Sequence, residues 1–211
     1  MPRISALTFV VTAIMSSLIT YGCGGSKPAR FYLLQSEASD QRSTSSSDAG
    51  DIMLIGMMPV SMPDYLMRPQ IASRAGGHRI EYAEYDRWAE PLHDTIARLV
   101  SHDLEEDLPG FWIVAHPWMA NLELEYRLNL ELEQFDLYED GSAVLKGTWS
   151  VGAGRAGSWI GYGSFDLSER FEEEKKPDYP VRVAALNRLV TRMNRQLVEE
   201  VRAFLQTRSE R

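Results

Sequence analysis

The chain of 211 residues contains a single cysteine, Cys23. That excludes an intramolecular disulfide and any cysteine-built zinc site, so stability must come from packing. Positive charge is also scarce: 22 Lys and Arg stand against 30 Asp and Glu, for a formal net charge of −8. Such a balance argues against a non-specific nucleic-acid surface or a polybasic membrane surface. A spanning helix needs about 20 predominantly apolar residues. The N-terminal apolar stretch, Ile4 to Ile19, falls short and is interrupted by Ser5, Thr8, Thr12, Ser16 and Ser17.

What that stretch does offer is a secretory signal. It follows Arg3 and ends at Thr20-Tyr21-Gly22-Cys23, with Gly24-Gly25-Ser26 beyond. A small residue ahead of the cut and an apolar run of this length fit a signal peptide, and the cysteine makes it a lipoprotein signal over residues 1–22. Gly22 and Cys23 match a lipobox, whereas Thr20 and Tyr21 stand where Leu and a small residue are usual. Cys23 is then the lipid anchor, and more than one acyl chain gives stable attachment. Gly24 rather than Asp after it resembles the outer-membrane pattern of enterobacterial sorting. The expected location is the outer membrane, facing the periplasm.

Residues 23–30 form the lipidated Cys and a short tether, and 31–208 are expected to be one domain of ordinary size. Phe31-Tyr32-Leu33-Leu34 has the content of a first strand. The Ser-rich run 36–51 has almost nothing to bury and reads as a disordered loop or a flexible tether. Ile52 to Val60 is a continuous apolar run ended by Pro59 and Pro63, consistent with a buried strand. Met53, Met57, Met58, Met62 and Met67 crowd this region and suit either core filling or an adaptable contact.

Beyond Trp88 the period changes. Leu92, Ile96, Leu99, Val100, Leu104 and Leu108 recur at helical spacing, with Pro91 suited to a first turn and Pro109-Gly110 to a stop. Leu122, Leu124, Tyr126, Leu128, Leu130 and Leu132 then alternate against polar residues, as in a strand with one buried face. Beyond Gln134 the phase slips to Phe135 and Leu137, which one extra residue, a bulge, would restore. Asp140-Gly141 signals a hairpin. Ala143 to Val151 and Trp159 to Leu167 continue the meander. An amphipathic helix spans about Val181 to Leu205. The expected fold is α+β: a mainly antiparallel sheet with two amphipathic helices packed on one face.

Signals for chemistry are thin. Gly152-Ala153-Gly154-Arg155-Ala156-Gly157 matches GxGxxG, but a dinucleotide site needs a helix next. Ser158-Trp159-Ile160 reads as strand, so the expectation is a hairpin loop. His93-Asp94 and His102-Asp103 look like repeated pairs, yet nine residues at about 100° each place the histidines on opposite sides of one helix. His78 and His116 are isolated, no serine sits in a GxSxG elbow, and Glu172-Glu173-Glu174 runs straight into Lys175-Lys176 as a solvated loop. No metal, no cofactor and no catalytic set are expected.

Three segments carry a family resemblance: Met62-Pro63-Asp64-Tyr65-Leu66-Met67-Arg68-Pro69-Gln70-Ile71 with Arg74, then Arg87-Trp88-Ala89-Glu90-Pro91-Leu92, then His116-Pro117-Trp118. In order and spacing the chain resembles the PqiC/YmbA family of auxiliary lipoproteins of ABC-type, paraquat-inducible lipid transport. Met67 departs from it, because an acidic residue is usual before Arg-Pro. The resemblance implies a non-enzymatic, outer-membrane-anchored subunit that docks the MCE-domain periplasmic tube protein, acts as a homo-oligomer and supports membrane integrity. Pro63, Tyr65, Arg68, Pro69, Gln70 and Trp88 become candidate partner contacts, on a segment read as a stiff extended loop. Bracing of the fold is the alternative for Arg68, Pro69 and Trp88. A rival function is a regulatory lipoprotein acting on another envelope complex such as a peptidoglycan synthase. A third is a periplasmic hydrolase.

Overall fold

The computed structural model describes residues 27–36, 52–119, 121–172 and 178–209. The signal segment 1–22, Cys23, residues 37–51 of the Ser-rich run and the Glu173–Lys176 loop lie outside them.

Among the described residues eight strands form one mixed sheet: β1 Arg30–Tyr32, β2 Met53–Met57, β3 Gln70–Ala75, β4 Arg79–Trp88, β5 Phe111–Ala115, β6 Tyr126–Tyr138, β7 Ser142–Ala153 and β8 Trp159–Arg170. The described residues also form two α-helices, α1 Leu92–Asp107 and α2 Tyr179–Ser209. The strand order is β1-β4-β3-β6-β2-β5, with β7 and β8 added across the other edge of β6. At about 3.3 Å per residue β6 is roughly 43 Å long, which explains how it serves three neighbours. One edge pairs with β7 over almost its whole length. The other is shared between β2 at Tyr126–Leu128 and β3 at Leu137 and Tyr138.

The long pairings β6–β7 and β7–β8 are antiparallel, as is β3–β4. The parallel pairings are short, none exceeding the five positions of β2–β5. The predicted meander is therefore the larger part of the sheet, with parallel strands filling its flank. The predicted bulge is present between Leu132 and Gln134, which leaves Glu133 as the extra residue. Leu128, Leu130 and Leu132 before it, and Phe135 and Leu137 after it, are all buried. Asp140-Gly141 makes the turn, and Gly141 adopts φ 76°, a left-handed conformation that favours glycine.

β3, β4 and β5 were not expected from the sequence, and the first two correct it directly. The segment 63–74 is not one extended loop. A 3₁₀ turn at Asp64–Leu66 leads into β3, whose Ile71, Ala72 and Ala75 are buried. Gly76-Gly77, at φ 51° and 66°, then closes a hairpin onto β4. β4 alternates charge with tyrosine rather than with aliphatic residues, which masks its period. The strand read over 122–132 also begins later, at Tyr126, although Leu124 is buried beside it.

α1 buries the stripe Leu92, Ile96, Leu99, Val100 and Leu104 and starts at Pro91, which takes the N-cap position. α2 buries Leu186, Leu189, Val190, Met193, Leu197 and Val201. It lies over β6–β8, where Trp149 Nε1 donates to Glu200 Oε2 at 2.6 Å. Asn194 Nδ2 donates to Asp103 Oδ2 at 2.6 Å and ties α2 to α1. Both helices and the inner sheet face share one hydrophobic cluster.

Candidate functional site

The candidate contact segment is built on a buried carboxylate. Asp136, 1% exposed on β6, alternates with the core residues Phe135 and Leu137, and its neighbours cover it on the other side. It accepts a hydrogen bond from Tyr65 Oη at 2.8 Å and pairs with the Arg74 guanidinium from β3. That guanidinium also lies 5.7 Å from the Tyr65 ring centroid. Tyr82 Oη donates to the Tyr65 carbonyl at 3.3 Å, and Arg68 stacks 4.9 Å over the Tyr82 ring. Burial first, and the bond to Asp136 second, raise the Tyr65 hydroxyl pKa. Asp136 holds the Arg74 pKa above its ordinary value. A buried carboxylate with two such partners is a rigid base.

On that base the six candidate residues divide. Pro63 is half-buried and precedes the 3₁₀ turn. Tyr65 faces inward onto Asp136. Arg68 and Pro69 are exposed beside Met67, which is 51% exposed. Gln70 is half-buried and opens β3 opposite Arg87. Trp88 departs from the expected contact surface: at 7% exposed it packs near Phe135, with ring centroids 6.5 Å apart. Its backbone N–H donates to the Pro69 carbonyl at 2.7 Å, so it braces the segment from beneath. The exposed part of this segment is the short turn Met67-Arg68-Pro69. Asp136 and Tyr82 were not singled out in the sequence, where nothing marks an Asp between Phe135 and Leu137 as buried.

A second buried carboxylate, Asp86, fastens β1. It accepts from Tyr32 Oη at 2.8 Å and pairs with Arg30 at 2.7 Å. Burial, and then the bond to Asp86, push the Tyr32 hydroxyl from 10.0 up to about 12. Because the folded value lies above the unfolded one, this contribution to stability is complete below pH ~10 and is lost as pH rises through the folded value. The urea midpoint should therefore fall between pH ~10 and ~12. Tyr32→Phe should flatten part of that fall, and an unchanged profile in this variant would contradict the assignment.

The glycine-rich run is the β7–β8 connection and is followed by a strand, as expected of a hairpin loop. Arg127 organises it by donating to the carbonyls of Ala153, Gly154 and Gly157, 4.4 Å from the Trp159 ring centroid. His93 and His102 border one groove of about 590 Å³, together with His116 and the Met57–Val60 segment. Nine residues separate them by about 13.5 Å along the axis. Among the described residues no group of three or more His, Cys, Asp or Glu is placed to hold a metal, and no helix is long and apolar enough to cross a membrane. A second, mostly apolar cleft of about 620 Å³ lies between Met53, Leu108, Phe111, Tyr126 and Leu205, with Arg202 among its lining residues.

Comparison with known proteins agrees with this framework. Residues 32–198 match the family described as ABC-type transport auxiliary lipoprotein component. The chain is 26% identical over 136 residues to the Escherichia coli (strain K12) intermembrane transport lipoprotein PqiC, covering 64% of this chain and 70% of that protein. The Shigella flexneri protein of the same name matches to the same extent. In structure the chain is similar to a Xanthomonas campestris protein of family DUF330, with a TM-score of 0.67 at 15% identity, covering 86% of this chain and 100% of that one.

Proposed function

Because the chain belongs to the family of ABC-type transport auxiliary lipoprotein components, we propose that it anchors at the outer membrane through acylated Cys23 and docks the MCE-domain tube protein of a Pqi-type intermembrane lipid transport system. The observation that carries this reading is the family match itself, which begins nine residues after Cys23 and runs to residue 198. The domain acts without catalysis, as a homo-oligomer around the tube on the periplasmic face. The Met67-Arg68-Pro69 turn supplies the contact. It is exposed and stiffened by Pro69, and it is held by Tyr65 on Asp136 and by Trp88 on the Pro69 carbonyl. Arginine and methionine on a preorganised turn suit a protein interface.

The test compares Arg68→Glu with the parent chain in affinity purification from detergent-solubilised envelopes. Charge reversal at an interface arginine should lower recovery of the tube protein by about tenfold or more. The melting temperature should change little, because Arg68 is exposed. Undiminished recovery removes this turn from the interface.

A further inference from the structure

We propose that the outer margin of β1 is a membrane-contact surface that seats the domain on the bilayer holding its own anchor. This rests on the lipoprotein reading of Cys23. β1 is an edge strand. Its inward residues are used by the fold: Tyr32 bonds Asp86, and Leu34, just beyond the strand, is 2% exposed. Alternating with them, Phe31 is 64% exposed and Leu33 43% exposed. Two large apolar side chains are thus presented side by side at β1, among the first described residues after the anchor.

The tether decides what can cover them. Six residues, 24–29, separate Cys23 from Arg30, so Arg30 lies within about 24 Å of the acylated residue even when the chain is fully extended. That reach keeps the β1 margin within about 24 Å of the bilayer surface, close enough for direct contact. Charge fits the same occupant. Lys27 is exposed ahead of β1, and Arg87, the cross-strand neighbour of Phe31, is half-buried with its Nε in the interior. Arg30 is largely compensated by Asp86, with Asp178 also acting on it. Aromatic and leucine side chains flanked by cations suit the headgroup and acyl boundary of a bilayer containing anionic lipid.

The experiment uses the full-length acylated protein in vesicles of phosphatidylethanolamine and phosphatidylglycerol. Its Cys23 sulfur is blocked by the lipid, so a cysteine introduced by Phe31→Cys, Leu33→Cys or Tyr162→Cys is the only thiol open to a bimane label. Tyr162, 87% exposed on β8, is the control. It lies five strand spacings, about 24 Å, across the sheet. Shallow doxyl-labelled lipid should quench bimane at positions 31 and 33 about threefold or more above position 162. All three positions are exposed, and unchanged circular dichroism checks folding.

Equal quenching at the three positions, with acylated Cys23 verified by mass spectrometry, overturns the membrane surface and leaves the lipoprotein reading intact. Equal quenching combined with dilution-sensitive emission at position 31 assigns the patch to a second copy and also overturns it. An unacylated Cys23 overturns the proposal together with the reading it rests on.

Discussion

Cys23→Ala should remove the protein from the outer-membrane fraction, lowering the amount found there by about a hundredfold or more. Each buried CH₂ of an acyl chain is worth about 0.8 kcal/mol, and a single saturated chain gives only marginal, reversible binding. Stable residence needs two or more chains, all of which depend on this one sulfur or on the amino terminus that processing exposes beside it. The described residues contain no helix long and apolar enough to cross a membrane and take over that task. With a net charge of −8, electrostatic attraction to anionic lipid is also no substitute. The variant should therefore be soluble in the periplasm, or retained at the inner membrane by its uncleaved apolar segment, and inactive in either case. Membrane fractionation with immunodetection reads the outcome. Normal outer-membrane recovery of the variant would defeat the anchor argument.

Asp136→Ala should be the most destabilising single change in the candidate site, at about 3 kcal/mol. The carboxylate is 1% exposed and satisfies both the Tyr65 hydroxyl and the Arg74 guanidinium. Its loss leaves a cation partly buried without its counter-charge and a phenol without its acceptor, two penalties that add to the missing pair. For a domain of this size the melting temperature should drop by roughly 10 °C. Asp136→Asn keeps the shape and an acceptor oxygen, so it should fall between the two. The Met67-Arg68-Pro69 turn sits on this base, and partner recovery should fall in step with stability. Thermal denaturation followed by circular dichroism tests it, and a melting temperature within 2 °C of the parent, about 0.5–1 kcal/mol, would contradict the role given to Asp136.

Local signals in the chain carried well where one face is aliphatic and the other polar. The slip read beyond Gln134, the Asp140-Gly141 turn and the Leu and Val stripes of both helices correspond to a bulge between Leu132 and Gln134, a hairpin and two packed helices in the structure. They failed where burial is shared among tyrosine, alanine and charged residues, as in β3 and β4, whose cross-strand partners rather than their own period make them strands. The parallel pairings of β2 with β5 and β6 are tertiary outcomes that no local pattern encodes. At the site, the Met62–Ile71 segment was legible through its family resemblance. Its support was not, because Tyr65 and Asp136 are 71 residues apart in sequence. For Trp88 the sequence left partner contact and bracing both open, and its burial under the Pro69 carbonyl favours the brace.

The central claim, an acylated transport auxiliary lipoprotein that docks a tube-forming partner, is tested most directly by affinity purification of the full-length protein from detergent-solubilised envelopes, with mass spectrometry of its mature N-terminal peptide and of everything recovered with it. The predicted result is an acylated Cys23 together with an MCE-domain protein. An acylated Cys23 recovered with a cell-wall synthase and no MCE-domain protein would contradict the docking role and turn the family likeness toward regulation of that enzyme.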